Sequence, residues 1–243
     1  MAFAEYSILN QRRELMSNNL VRIYHGSEYI IDKPQFNKGS LRNDYGRGFY
    51  CTEHIELAKE WACSHGTDGH ANIYDLDLSG LNILELNREP LNVLNWLAIL
   101  ADNRTYWEKN SISEDAKNYL KENFLIDISP YDIIIGYRAD DSYFTFAKNF
   151  VANAISLQQL KEAMLLGKLG NQIVLKSPRA FSQLSFIGTE SAPADIYYSL
   201  KMNRDREART EFRNNVRKRA NRNDLFMLDI MREEIRDGDP RLL

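Results

Sequence analysis

A chain of 243 residues, 44% hydrophobic and 27% charged, can bury one large core, with or without an extension. Its 34 acidic and 31 basic residues leave a formal net charge of -3, which excludes a general electrostatic pull toward nucleic acid or anionic membrane. Two cysteines, Cys51 and Cys63, are too few for a disulfide framework, and no apolar run is long enough to span a bilayer.

The opening "MAFAEYSILNQRRELM" lacks the basic-then-apolar order of a secretory signal, so a cytoplasmic protein without membrane contact is expected. Residues 1–20 read as a lead-in. "LVRIYHGS" reads as a strand ending at a loop, and "YIIDKPQF" as an extended segment turning at Pro34. The glycine-punctuated "GSLRNDYGRGFYCT" feeds a short strand at Phe49–Cys51. Thr52 is the expected N-cap of a helix carrying Leu57, Ala58, Trp61 and Ala62 on one face. "NIYDLDLSGLNILEL" predicts two strands paired through a turn at Ser79-Gly80.

Near Pro90 the period becomes helical and stays so to about residue 125. "PLNVLNWLAILADNRTYW" has a wide apolar stripe, and "SISE" at Ser111–Glu114 is a capping box. "YDIIIGYRADD" predicts a buried strand leading to an acidic loop. "SLQQLKEAMLLGKLG" predicts a capped helix stopped at Gly167 or Gly170, with strands following at "NQIVLKSP" and "QLSFIG". The organisation expected is therefore a main domain at 21–199, with a helical insertion at about 90–125, and a basic amphipathic helical tail at 200–243. Strands interleaved with a helical middle and a helical tail indicate an α+β fold.

Several chemistries lack their residues. No phosphate-binding P-loop, dinucleotide glycine fingerprint or serine nucleophile elbow occurs. "HGTDGH", with His65, Asp68 and His70, is a weak metal signal that suits a solvated loop, and no metal site is expected. A nuclease using the basic tail has no metal-ligand cluster to support it.

What remains is "YHGS", closing the first strand, then "GRGFY", then Trp61 eleven positions after Tyr50. These motifs resemble the ADP-ribosyltransferase superfamily in its His-Tyr-Glu branch, which includes poly(ADP-ribose) polymerases and diphtheria-type toxins. More narrowly, the stretch from Arg22 to Gly188 looks like an uncharacterised bacterial family of that clan, often encoded beside small partner proteins in the manner of toxin–antitoxin pairs. The resemblance implies a split antiparallel β-sheet core with a helical insertion and a helical C-terminal extension. It also implies NAD as cofactor, ADP-ribose transfer to a protein or nucleic acid acceptor, and a small antitoxin-like partner.

By the same resemblance, His25 holds a ribose hydroxyl, the Gly26 backbone pairs with the nicotinamide amide, and Ser27 adds a hydroxyl. Tyr50 and Trp61 sandwich the nicotinamide ring, as offset aromatic stacking allows. Three positions depart from the pattern. Trp61 stands where the second aromatic is a tyrosine, and can still stack. Ala58 stands where polymerase-like members carry a serine, and Gln172 stands where the catalytic glutamate is expected. An amide accepts a hydrogen bond but brings no charge to an oxocarbenium-like transition state. Asp140 and Asp141 are the carboxylates expected to supply it. A catalytically degenerate nucleotide-binding or protein-interaction module on the same fold is the alternative.

Overall fold

β1 (Leu20–Ser27) buries Ile23 fully while Leu20 and Arg22 face water, the period-two pattern of a strand with one covered face. The computed structural model describes residues 19–104, 111–219, 221 and 223–242, apart from the side chains at 111, 141 and 168. In the first sheet β3 (Gly69–Asp77) lies antiparallel between β1 and β7 (Leu184–Ala192). The second sheet sets β2 (Phe49–Cys51), β6 (Gln172–Leu175), β5 (Ile133–Gly136) and β4 (Ile83–Glu85) side by side in that order.

Three local expectations are corrected. β4 runs parallel to β5, so the second sheet is mixed rather than wholly antiparallel. The chain between them is a long crossover holding α2 (Val93–Asn103) and α3 (Ser111–Phe124), and parallel neighbours need such a connection. β3 and β4 form no hairpin: Gly80 turns the chain at φ 66°, but β1 and β7 already occupy both edges of β3. Thr52 does not cap α1 (Ile55–Ala62), whose N-cap is His54; the Thr52 backbone is paired with Tyr24 instead.

Strand alternation divides the interior in two. Ile133, Ile173 and Leu175 meet Ile23, Phe49 and Tyr74 in a core between the sheets. Their neighbours Ile134 and Val174 point the other way, into a larger core built on Trp96, Leu97 and Phe150. The expected helical insertion lies in that larger core, with α2 capped by Asn92 and Asn95; residues 105–110 and the Ser111 side chain of the expected capping box lie outside the described residues. α4 (Asp141–Val151) and α5 (Leu157–Met164) follow, the latter capped by Ser156 and Gln159 as the sequence predicts.

The tail is part of the same interior. α7 (Ala194–Glu211), which follows the short α6 (Pro178–Ser182), starts six residues ahead of the expected tail. Phe212, Val216, Ile235 and Leu242, with Met227 and Ile230 of α8 (Met227–Arg232), all enter the larger core. Arg204, within the stretch expected as a basic amphipathic tail, makes a two-pronged ion pair with the buried Glu60 at 2.6 and 2.9 Å. The lead-in up to residue 18 and Arg222 of the tail lie outside the described residues. No helix among the described residues is long and apolar enough to cross a membrane.

Candidate functional site

The two sheets are joined where Tyr24 N donates to Thr52 O (2.8 Å) and Thr52 N donates to Tyr24 O (2.9 Å). Carried two residues further, this antiparallel pairing would set Gly26 opposite Tyr50. The His25 imidazole intervenes: its Nδ1 lies 2.7 Å from Tyr50 O, and its ring packs on Phe49 with centroids 4.3 Å apart. A carbonyl oxygen only accepts, so Nδ1 carries the proton and Nε2 is left as an acceptor. Past this wedge the strands part, and a cleft opens with His25, Gly26 and Tyr50 in its lining.

The cleft has two adjoining hollows of about 710 and 680 Å³. Both are lined by His25, Tyr50, Arg104, Asp140 and Gln172. The first also takes in Asp32, Lys33, Lys38, Asp44, Phe49 and Phe181 among others, and the second Gly26, Trp61, Ala139, Phe144, Lys148 and Lys201. Of the residues expected to form the site, His25, Gly26, Tyr50, Trp61, Gln172 and Asp140 thus converge. Ser27 does not line either hollow, and its Oγ accepts from Tyr29 N at 3.1 Å. Asp141 starts α4, and its side chain lies outside the described residues.

Each element holds its residue for a physical reason. A Cβ on Gly26 would lie 2.0 Å from Ala58 O, so glycine lets α1 pack directly against β1. By alternation with Tyr24, the Gly26 N–H and C=O turn toward the cleft edge. The Tyr50 hydroxyl donates to Gly46 O at 2.6 Å and accepts from Tyr45 N at 3.1 Å, fixing the ring in the loop that Gly46 turns at φ 69°. Burial pushes the Tyr50 phenol far up its scale, so the ring offers a stacking surface and not an acid or base.

Gln172 opens β6, opposite Gly136 of β5, and is 7% exposed; among the described residues its Oε1 has no hydrogen-bond partner. A buried acceptor left unmet is costly, and a donor entering the cleft would satisfy it. Asp140 stands at the N-cap position of α4, without a side-chain capping bond, and faces both hollows.

Sequence reasoning missed the supports. Buried Asp44 accepts Arg104 Nη2 at 2.6 Å and Ala139 N at 2.9 Å, tying the GRG loop to the end of α2 and to the start of the Asp140 turn. Sixty positions separate that ion pair, so no local pattern marks it. Arg138 lies fully buried with its guanidinium 3.1 Å from the Trp61 ring centroid. A basic residue three positions after a run of three isoleucines was the available signal. Of the weak metal cluster, Asp68 accepts Ala194 N at 2.8 Å, and among the described residues no three His, Cys, Asp or Glu side chains are placed to hold a metal. Cys51 and Cys63 are buried free thiols.

A family model described as a protein of unknown function, DUF3990, matches residues 21–186, more than half of the chain. The chain belongs to the DUF3990 family. No curated protein and no solved structure matches it. The five side chains shared by the two hollows all fall inside the DUF3990 match, whereas Lys201 and Arg204 of α7 lie beyond it.

Burial also lowers the His25 pKa below its ordinary 6.5, against the pull of the Tyr50 hydrogen bond. The folded DUF3990 chain then resists a proton that the unfolded chain accepts, so this residue's contribution to stability falls as pH drops from about 6.5 through the lower folded value. Denaturant midpoints measured at pH 7.5 and 5.5 should therefore fall more for wild type than for His25→Gln. Equal falls would show that the imidazole titrates normally.

Proposed function

We propose that this DUF3990 protein is an ADP-ribosyltransferase of the His-Tyr-Glu type that binds NAD in the cleft and passes ADP-ribose to a protein or nucleic acid acceptor. We place it in the cytoplasm as a bacterial toxin or defence effector restrained by a small antitoxin-like partner. The observation that carries the proposal is convergence: His25, Gly26, Tyr50, Trp61, Asp140 and Gln172 come from five separate segments and line one hollow.

The chemistry of the lining suits that cofactor. His25 Nε2, an acceptor while the ring is neutral, suits a ribose hydroxyl, and the bare Oε1 of Gln172 suits another. Tyr50 and the cleft side of Trp61 suit a flat ring, with the Gly26 backbone edge placed for its carboxamide. Lys33 and Lys38, beside Asp32 and Asp44 in the first hollow, and Lys148 and Lys201 in the second bring positive charge that a diphosphate could meet. In the transfer, the N1–C1′ bond breaks with its electron pair going to the nicotinamide ring; the acceptor's lone pair forms the new bond at C1′, and the acceptor's proton passes to a base or to water. In this reading Asp140, which lines both hollows, meets the sugar cation or takes that proton.

Purified full-length protein should release nicotinamide from NAD, measured chromatographically. His25→Ala and Tyr50→Ala variants that keep the wild-type circular dichroism should lose about a hundredfold or more of that rate. Absence of both NAD binding and NAD consumption, with and without candidate acceptors, would falsify the proposal. The uncharged Gln172 also favours a second reading, a nucleotide-binding module without turnover. Calorimetric NAD binding with no nicotinamide released would select that module.

A further inference from the structure

We propose that Arg138, seated behind Trp61, makes the aromatic slot prefer an uncharged ring over a pyridinium, and so favours departing nicotinamide over the ring still bonded to ribose. This rests on the NAD-binding role proposed for the cleft.

Three observations support it. Arg138 follows β5, is among the largest fully buried side chains, and among the described residues has no hydrogen-bond partner on Nε, Nη1 or Nη2. Buried guanidinium groups are normally paired, because an unmatched charge away from water is expensive. Its close contact is with the π face of Trp61, at 3.1 Å from the ring centroid. A cation there is drawn to the electron-rich face. Trp61 also lines the second hollow beside Tyr50 and Gly26, whereas Arg138 is not in that lining; in the proposal a ring from the cleft stacks on the indole face opposite the guanidinium.

The consequence is electrostatic. A pyridinium on the cleft side would share one indole with the guanidinium, two like charges across a single ring whose guanidinium side is shielded from water. A neutral ring of the same shape would stack without that repulsion. When the glycosidic bond breaks, the electron pair that enters the nicotinamide removes its charge, so the slot holds the leaving group better than the reactant. Burial pushes the Arg138 pKa down to about 10, against the pull of Asp140 and Asp44, which still leaves the group charged at neutral pH. Arg138 touches neither ring nor ribose in this arrangement; it acts through Trp61 as a positioning residue.

The test uses the full chain and two ring fragments, nicotinamide and 1-methylnicotinamide, titrated by calorimetry. They differ in charge and in a methyl group at the position where ribose is attached in NAD. Wild type should prefer the neutral ring by about tenfold. Arg138→Lys should keep most of that preference, and Arg138→Met should bring the two affinities within about twofold. A wild type that binds the cationic fragment as tightly as the neutral one overturns the role of Arg138 whether or not either variant folds. An unchanged ratio in folded Arg138→Met overturns it too, while leaving NAD binding intact. If wild type binds neither fragment nor NAD, the cleft is no nicotinamide site, and both proposals fall together.

Discussion

Gly26→Ala is expected to cost the fold about 3 kcal/mol or more. The added methyl would lie 2.0 Å from Ala58 O and 2.8 Å from Ala62 N, both backbone atoms of α1. Neither can rotate away as a side chain would, so the helix must lift from β1. That movement disturbs more than one contact, because Ala58 and Leu57 are buried where α1 meets the sheet. Equilibrium urea denaturation compares the variant with wild type; a change below about 0.5 kcal/mol would show that α1 gives way freely. Ser27→Ala, next in the chain but off the cleft, should stay within about 1 kcal/mol, since it loses one exposed hydrogen bond to Tyr29 N. The glycine of "YHGS" thus has a packing duty before any ligand arrives. A Gly26 variant that fails to bind NAD would say nothing about the ligand unless its fold were shown intact.

Arg204→Ala should lower stability by about 3–5 kcal/mol, because it strands the Glu60 carboxylate in a buried position. Glu60 is 2% exposed, and both of its oxygens are held by the Arg204 guanidinium. Arg204 Nη1 also donates to Gly167 O at 2.9 Å, so one side chain clamps α7 to α1 and to the turn after α5. For a chain of this size the loss corresponds to a fall in Tm of roughly 10 °C. The double variant Glu60→Leu/Arg204→Met removes both charges and should recover most of it, since buried ion pairs often exchange for apolar groups at little net cost. A double variant as unstable as Arg204→Ala would place the effect in lost packing along α7 and not in the unmatched carboxylate.

Much of the fold was legible because its signals are local. The strand at "LVRIYHGS", the buried run at "YDIIIGYR" and the helix capped by Ser156 and Gln159 depend on neighbours a few positions apart. The candidate site was legible for another reason: His25, Tyr50 and Trp61 occur at the order and spacing of a recognisable motif, and they do line one hollow. Thr52 shows the limit. It has the chemistry of an N-cap two residues ahead of the real one, but an inter-sheet pairing with Tyr24 claims its backbone. Local preference loses when a nonlocal pairing satisfies the same groups.

The sequence by itself determined the α+β class, most element identities, and the motif residues that front the cleft. Only the tertiary structure decided which strands pair, that the tail helices close the main core, and that Asp44, Arg104 and Arg138 stand behind the site. Strand pairing depends on which edges remain free, and burial of a charge depends on what packs over it from distant segments. Neither quantity is carried by any short stretch of chain: β3 spends both edges on β1 and β7 before β4 can reach it, and Arg138 becomes a buried cation only when Trp61 closes over its guanidinium.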